Sequence, residues 1–210
     1  MKNIIIAILT IALIGLVLFL AVTFMQKSDY NSEKFFLSDW ALTADNHLTI
    51  ASTDLEKASY DASARNIETA INEMKSIEAI TDSEGVNLVE NAIDHLIKVE
   101  EEIKLNITDT NQLEDASIQA LNTLALVHLK LSDELAKEGA NTDAMKSIRI
   151  AIKHLQNAVE MAHLGSQRVG ERLVIDELNI LLDSLEKNGH LDKKEYTISA
   201  NDLVKLIKSN

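Results

Sequence analysis

Residues 64–77, ARNIETAINEMKSI, decide the fold class. Ala64, Ile67, Ala70, Ile71, Met74 and Ile77 step by three and four, so they share one face of a helix. The same steps recur at Val89, Ala92, Ile93 and Leu96, and again at Leu121, Leu124, Ala125, His128, Leu131 and Leu135. The chain has no proline, where ordinary usage of about 5% would supply roughly ten. Proline breaks helix interiors by removing an N–H and clashing with the preceding turn. Its absence, with only six glycines and abundant Ala, Leu, Ile, Glu and Lys, predicts an all-α fold.

Seven helices are expected after the N-terminal segment, at about 32–58, 61–79, 83–104, 112–138, 142–163, 167–187 and 200–208. Thr81-Asp82-Ser83-Glu84 reads as a capping box, with Thr81 bonding a free N–H and Glu84 reaching back. Ser199 and Asp202 resemble a second box, with Ile198 and Leu203 as its hydrophobic staple. Gly139-Ala140-Asn141-Thr142 stops one helix and starts the next. Asn188–Thr197, NGHLDKKEYT, is the longest polar connection and sets the last short helix apart.

An internal duplication is visible in the pattern. His47-Leu48-x-Ile50 faces His128-Leu129-x-Leu131, and Ile67-x-x-Ala70-Ile71-x-x-Met74 faces Ile148-x-x-Ala151-Ile152-x-x-Leu155 at the same separation. After a short insertion, Leu88-Val89 matches Leu173-Val174 and Ile93 matches Leu178. Amphipathic helices share such spacing by default, so coincidence is the competing explanation. If the duplication is real, residues 35–104 and 115–187 are two three-helix units, each the natural surface on which the other buries its apolar face. The expected architecture is then a bundle of about six to seven helices. The texture around Gly139–Ala162 is loosely similar to a tetratricopeptide hairpin. The repeat period and the Trp, Gly, Tyr and Pro positions of that family are missing, so no family is assigned.

Residues 4–25, IIIAILTIALIGLVLFLAVTFM, carry no charge. As a helix at about 1.5 Å per residue they extend roughly 33 Å, enough for a bilayer core of about 30 Å. The expected organisation is a signal-anchor transmembrane helix over 1–27, a helical bundle over 28–187, and a polar linker with a short helix over 188–210. A cleaved signal is the alternative. Against it stand the length of the apolar run and the bulky Thr23-Phe24-Met25, which spoil a small-residue cleavage site. The short Lys2-bearing tail is expected to stay cytoplasmic, placing the bundle outside, in a bacterial periplasm or on the cell surface. Phe35, Phe36 and Trp40, close after the anchor, suit either the membrane interface or the core.

Charge and composition exclude several functions. All 33 acidic residues and 19 of the 20 basic ones follow the apolar run, leaving a formal charge of −14 beyond it. Nucleic acid and anionic lipid both require a basic face to replace counterions, so neither is an expected partner. Zero cysteines removes disulfides, thiolate metal sites and Cys nucleophiles. The sequence has no G-x-S-x-G, GxxxxGK[ST], GxGxxG or HExxH signature, and four arginines (Arg65, Arg149, Arg168, Arg172) are few for gripping phosphates. Asn106-Ile107-Thr108 fits a glycosylation sequon, a tripeptide common by chance.

The histidines are His47, His95, His128, His154, His163 and His190. His47, on the face of Trp40, Ala44, Ala51 and Leu55, and His128 become symmetry mates if the duplication holds. They form the candidate metal-binding pair, able to hold a transition metal or haem or to titrate as a pH switch. The competing reading is two core histidines bonded to backbone or water. Glu160-x-x-His163 lacks the second copy a di-iron bundle needs, and Glu100-Glu101-Glu102 reads as a solvated face.

The function expected from these features is a non-enzymatic, membrane-anchored interaction or scaffold module of the cell envelope. It would contact the lipid bilayer through residues 4–25 and a protein partner or a second copy of itself, with no cofactor. The alternative is an extracytoplasmic bundle that senses or binds a ligand or metal through inward-facing histidines.

Overall fold

The computed structural model describes residues 42–78, 81–162 and 165–209. The apolar segment 4–25, the aromatic residues Tyr30, Phe35, Phe36 and Trp40, and His163 lie outside these. Among the described residues there are seven helices and no strand, and no helix is long and apolar enough to cross a membrane. The helices are α1 (residues 42–56), α2 (Tyr60–Glu78), α3 (Ser83–Lys104), α4 (Thr110–Lys137), α5 (Asn141–Met161), α6 (Gly165–Asn188) and α7 (Lys193–Ser209). The fold is all-α, as composition and spacing require.

The three- and four-residue steps mark the buried face, as expected. Ala64, Ile67, Ala70, Ile71, Met74 and Ile77 of α2 are all buried, as are Val89, Ala92, Ile93 and Leu96 of α3. Each large side chain so buried contributes about 1.5–3 kcal/mol relative to exposure. Consecutive helices pack on one another from α2 to α7, and α7 returns to touch α4. With α3, α5 and α7 around it, α4 is enclosed, and residues 116–118 and 120–129 are all buried. Enclosure explains why Ser117, Asn122 and Thr123 are interior despite their polarity.

Three local expectations are corrected. The N-cap of α3 is Asp82, whose Oδ1 accepts from the Gly85 N–H at 2.7 Å, so the cap sits one residue beyond Thr81. The Ser199–Asp202 box is absent because α7 already begins at Lys193, leaving Ser199 buried inside the helix. Asp192 starts α7, its Oδ1 accepting from the N–H groups of Lys194 and Glu195 at 2.8 and 3.1 Å. Those backbone donors hold its carboxyl below the usual range. Leu203 and Ile207 then reach the same core as Ile148, Leu155, Leu178 and Leu181. Glu100, expected on a solvated face, is buried one turn after Leu96 and pairs with Lys104 at 2.5 Å, whereas Glu101 is exposed.

The turns after α1 and α4 share one backbone design. Ala58 and Gly139 both adopt positive φ, 56° and 78°. Ser59 N–H donates to Asp54 O at 2.8 Å, and Ala140 N–H donates to Leu135 O at 2.9 Å. Ala58 N–H bonds Leu55 O at 2.9 Å, and Gly139 N–H bonds Ala136 O at 3.0 Å. Both are helix C-caps closed by a left-handed residue, a position that suits glycine. Alanine at position 58 carries the strain of a Cβ in that region. Ala58→Gly is therefore expected to stabilise the protein by about 1 kcal/mol, read as a higher denaturant midpoint at unchanged slope.

Candidate functional site: a buried histidine pair

Two imidazoles meet in the interior. His128 of α4 and His154 of α5 are 2% and 0% exposed, with ring centroids 5.3 Å apart and planes tilted by 32°. His154 lies on the inward face of α5 with Ser147, Ala151 and Ala158. Its Nδ1 faces both carboxylate oxygens of Asp45 on α1, at 2.8 and 2.9 Å. Asp45 is itself 1% exposed and accepts a further bond from Asn157 Nδ2 at 2.5 Å. This centre joins the first described helix to the fourth and fifth.

The hydrogen bonds define the proton positions. Ser147 Oγ donates to the backbone O of His128 at 2.7 Å, which leaves its lone pairs to accept from His128 Nδ1 at 3.3 Å. His154 Nδ1 donates to the Asp45 carboxylate in the same way. Both rings thus carry their proton on Nδ1, and both buried Nε2 atoms lack a hydrogen-bond partner. Burial pushes the His128 pKa well below the ordinary histidine value, and the adjacent His154 ring, when protonated, pushes it further down. His128 is neutral in the fold.

His47, the expected partner of His128, is used elsewhere. Its Nδ1 donates to Asn66 Oδ1 at 2.9 Å, and Asn66 Nδ2 donates to Asp54 Oδ2 at 3.1 Å. These bonds tie α1 to α2 at a half-buried position. His47 and Asn66 are separated by 19 residues, and so are His128 and Ser147. The pair that meets in the core is His128 with His154, and the ring contact does not involve His47. His95 bonds Gln119 Oε1 at 2.6 Å between α3 and α4, and His190 bonds the Asn188 carbonyl at 3.0 Å. Glu160 is exposed, and its motif mate His163 lies outside the described residues. Among the described residues no group of three or more His, Cys, Asp or Glu side chains can hold a metal ion.

Asn122 of α4 and Glu171 of α6 form a second polar contact in the core. Both are 0% exposed, and Asn122 Nδ2 donates to Glu171 Oε1 at 3.0 Å. Asn122 Oδ1 and Glu171 Oε2 are both buried without a partner. The neutral acid leaves no uncompensated charge at this buried contact. Burial raises the Glu171 pKa accordingly, outweighing the opposing pull of the Asn122 bond. Because the folded pKa is raised, this group's stabilising contribution is complete below about pH 4.5 and declines as pH rises through the folded value. Glu171→Gln imitates the protonated acid. It is expected to be more stable than the parent at pH 7, with the advantage vanishing near pH 4, as read by chemical unfolding at both pH values.

Sequence reasoning missed Asp45, His154, Asn122 and Glu171. His154 had a signal, being a polar residue between Ala151 and Ala158 on an apolar stripe. Asp45, followed by the polar Asn46 and His47, reads as part of a solvated stretch and had none. No family model, curated protein or solved structure matches the chain.

Proposed function

We propose that this chain is a membrane-tethered, non-catalytic interaction protein of the cell envelope, built on two copies of one three-helix unit. The observation that carries the interaction reading is α6. Its Val174, Leu178, Leu181 and Leu185 are buried, whereas Val169, Leu173 and Ile180 are 59%, 60% and 56% exposed. Spacings of four and seven put the exposed three on one stripe. A helix apolar on two separate sides is suited to a neighbour on each, and here one side faces solvent. The partner proposed for it is a protein presenting a complementary apolar face, with basic or neutral flanks to suit a chain of net charge −13. The tether rests on residues 4–25, and the two-copy reading on the paired turns and the paired His contacts.

The test is native separation of detergent-solubilised membranes carrying the full chain or the Leu173→Glu/Ile180→Glu variant. The parent is expected in a complex larger than its own mass, and the variant outside it with an unchanged melting temperature. Equal migration of the two would defeat the reading. A second reading, binding of a ligand or metal through inward-facing histidines, is favoured by the buried pair with its bare Nε2 atoms.

A further inference from the structure

We infer that the seam of α6 and α7 receives an amphipathic helix of a partner protein, one that sets a Lys or Arg among its apolar residues against Asp176. The inference rests on the interaction reading above and supplies the partner's chemistry.

Exposed apolar surface gathers at this seam. Of the seven large apolar side chains exposed among the described residues, Val169, Leu173 and Ile180 lie on α6, and Ile198 lies on α7 at 42% exposure. The two helices run antiparallel here: a methyl added at Gly170 would press on Leu206, and Glu177 feels Ser199 and Asp202. Ile198 and Asp202, four residues apart, share one side of α7, so Ile198 borders the seam that Asp202 faces. The apolar surface is therefore contributed by two adjacent helices. Such a surface receives a third helix through anchors spaced by three, four and seven residues.

Charge decides which helix fits. Asp176 follows Leu173 by three residues and precedes Ile180 by four, so it interrupts the apolar stripe at its middle. Asp183 and Asp202 pair with Lys187 and Lys205 at 3.5 and 2.5 Å, whereas the exposed Asp176 has no ion-pair partner among the described residues. Beside it, burial and the Asp202 carboxylate hold Glu177 above the usual carboxylate range. The middle of the patch is thus short of positive charge. A helix that seals Leu173 and Ile180 from water leaves Asp176 uncompensated unless it brings a cation there. A second copy of this chain is the wrong occupant. Twofold pairing of α6 with itself, Leu173 on Ile180, would set Asp176 against Asp176, two like charges at the centre.

The experiment places a photoreactive residue at Leu173 or at Ile198 of the full chain in intact cells, and mass spectrometry reads the crosslinked peptide. Both positions are expected to capture one partner through one helical segment that contains a Lys or Arg. Asp176→Lys in the Leu173-labelled chain is expected to lower the adduct yield at least about tenfold, and Asp176→Asn by less. Asp176 is exposed, so both variants keep the fold. A yield that Asp176→Lys leaves unchanged, or a crosslinked peptide without a basic residue, would overturn the basic helix and leave the interaction reading standing. So would an adduct of twice the chain's own mass, because the partner would then be a second copy. Capture at Leu173 with no adduct, or a different one, at Ile198 would overturn docking at the seam. Absence of any adduct from Leu173 would defeat the interaction reading itself.

Discussion

Asp45→Ala lowers the unfolding free energy by about 3–5 kcal/mol, because it removes a buried carboxylate that accepts from both His154 and Asn157 and leaves those donors unpaired. Asp45 and His154 are 1% and 0% exposed, so water cannot replace the missing carboxylate. The variant leaves the Nδ1–H of His154 and the Nδ2 of Asn157 without their acceptor, and it opens a cavity between α1 and α5. Asp45→Asn keeps an oxygen for His154 and costs less. The combined Asp45→Leu/His154→Leu variant recovers much of the loss, because apolar groups of similar shape can replace both partners of a buried hydrogen bond at little cost. Equilibrium unfolding of the four proteins tests the ordering. A loss below about 1 kcal/mol for Asp45→Ala would place the pair among surface-like contacts and refute its role in holding α1.

Leu203→Ala costs about 2–5 kcal/mol, because Leu203 is fully buried in the core shared with Leu155, Leu178 and Leu181. The magnitude separates two views of the C-terminal segment. If α7 were a detached short helix behind a polar linker, truncating one leucine would cost only tenths of a kcal/mol. Packed against α4 and α6, it must behave as a core element. The measurement is the denaturant midpoint and slope: the midpoint falls while the slope holds, since the helix stays folded with the bundle. A lower slope would mean that α7 had detached in the variant.

Helices with an amphipathic repeat can be placed from sequence because burial on one face imposes the three- and four-residue steps directly. The expectations of 61–79 and 83–104 fall within a residue or so of Tyr60–Glu78 and Ser83–Lys104. The start of α7 is hidden for a physical reason. Lys193, Lys194 and Glu195 form a polar first turn, and the cap comes from Asp192, outside the serine-based box expected at Ser199. The enclosed α4 is also partly hidden. Its sequence shows one stripe, but packing on several sides buries Ser117, Asn122 and Thr123 as well.

The site follows the same division. His128 stands out as a histidine on an apolar face, and the structure buries it. Its partner is set by the meeting of α1, α4 and α5, a long-range fact that no local spacing encodes, since Asp45 and His154 are 109 residues apart. The sequence spacing points to His47 because it aligns that residue with His128. Aligned positions need not touch, and His47 instead bonds Asn66 of α2.

The most direct test of the interaction account is photo-crosslinking in intact cells, with a photoreactive residue placed at Leu173 of the full chain and, as control, at exposed Asn179 on another side of α6. The account predicts one discrete adduct from Leu173 in the membrane fraction and none from Asn179. No adduct from Leu173, or the same adducts from both positions, would contradict it.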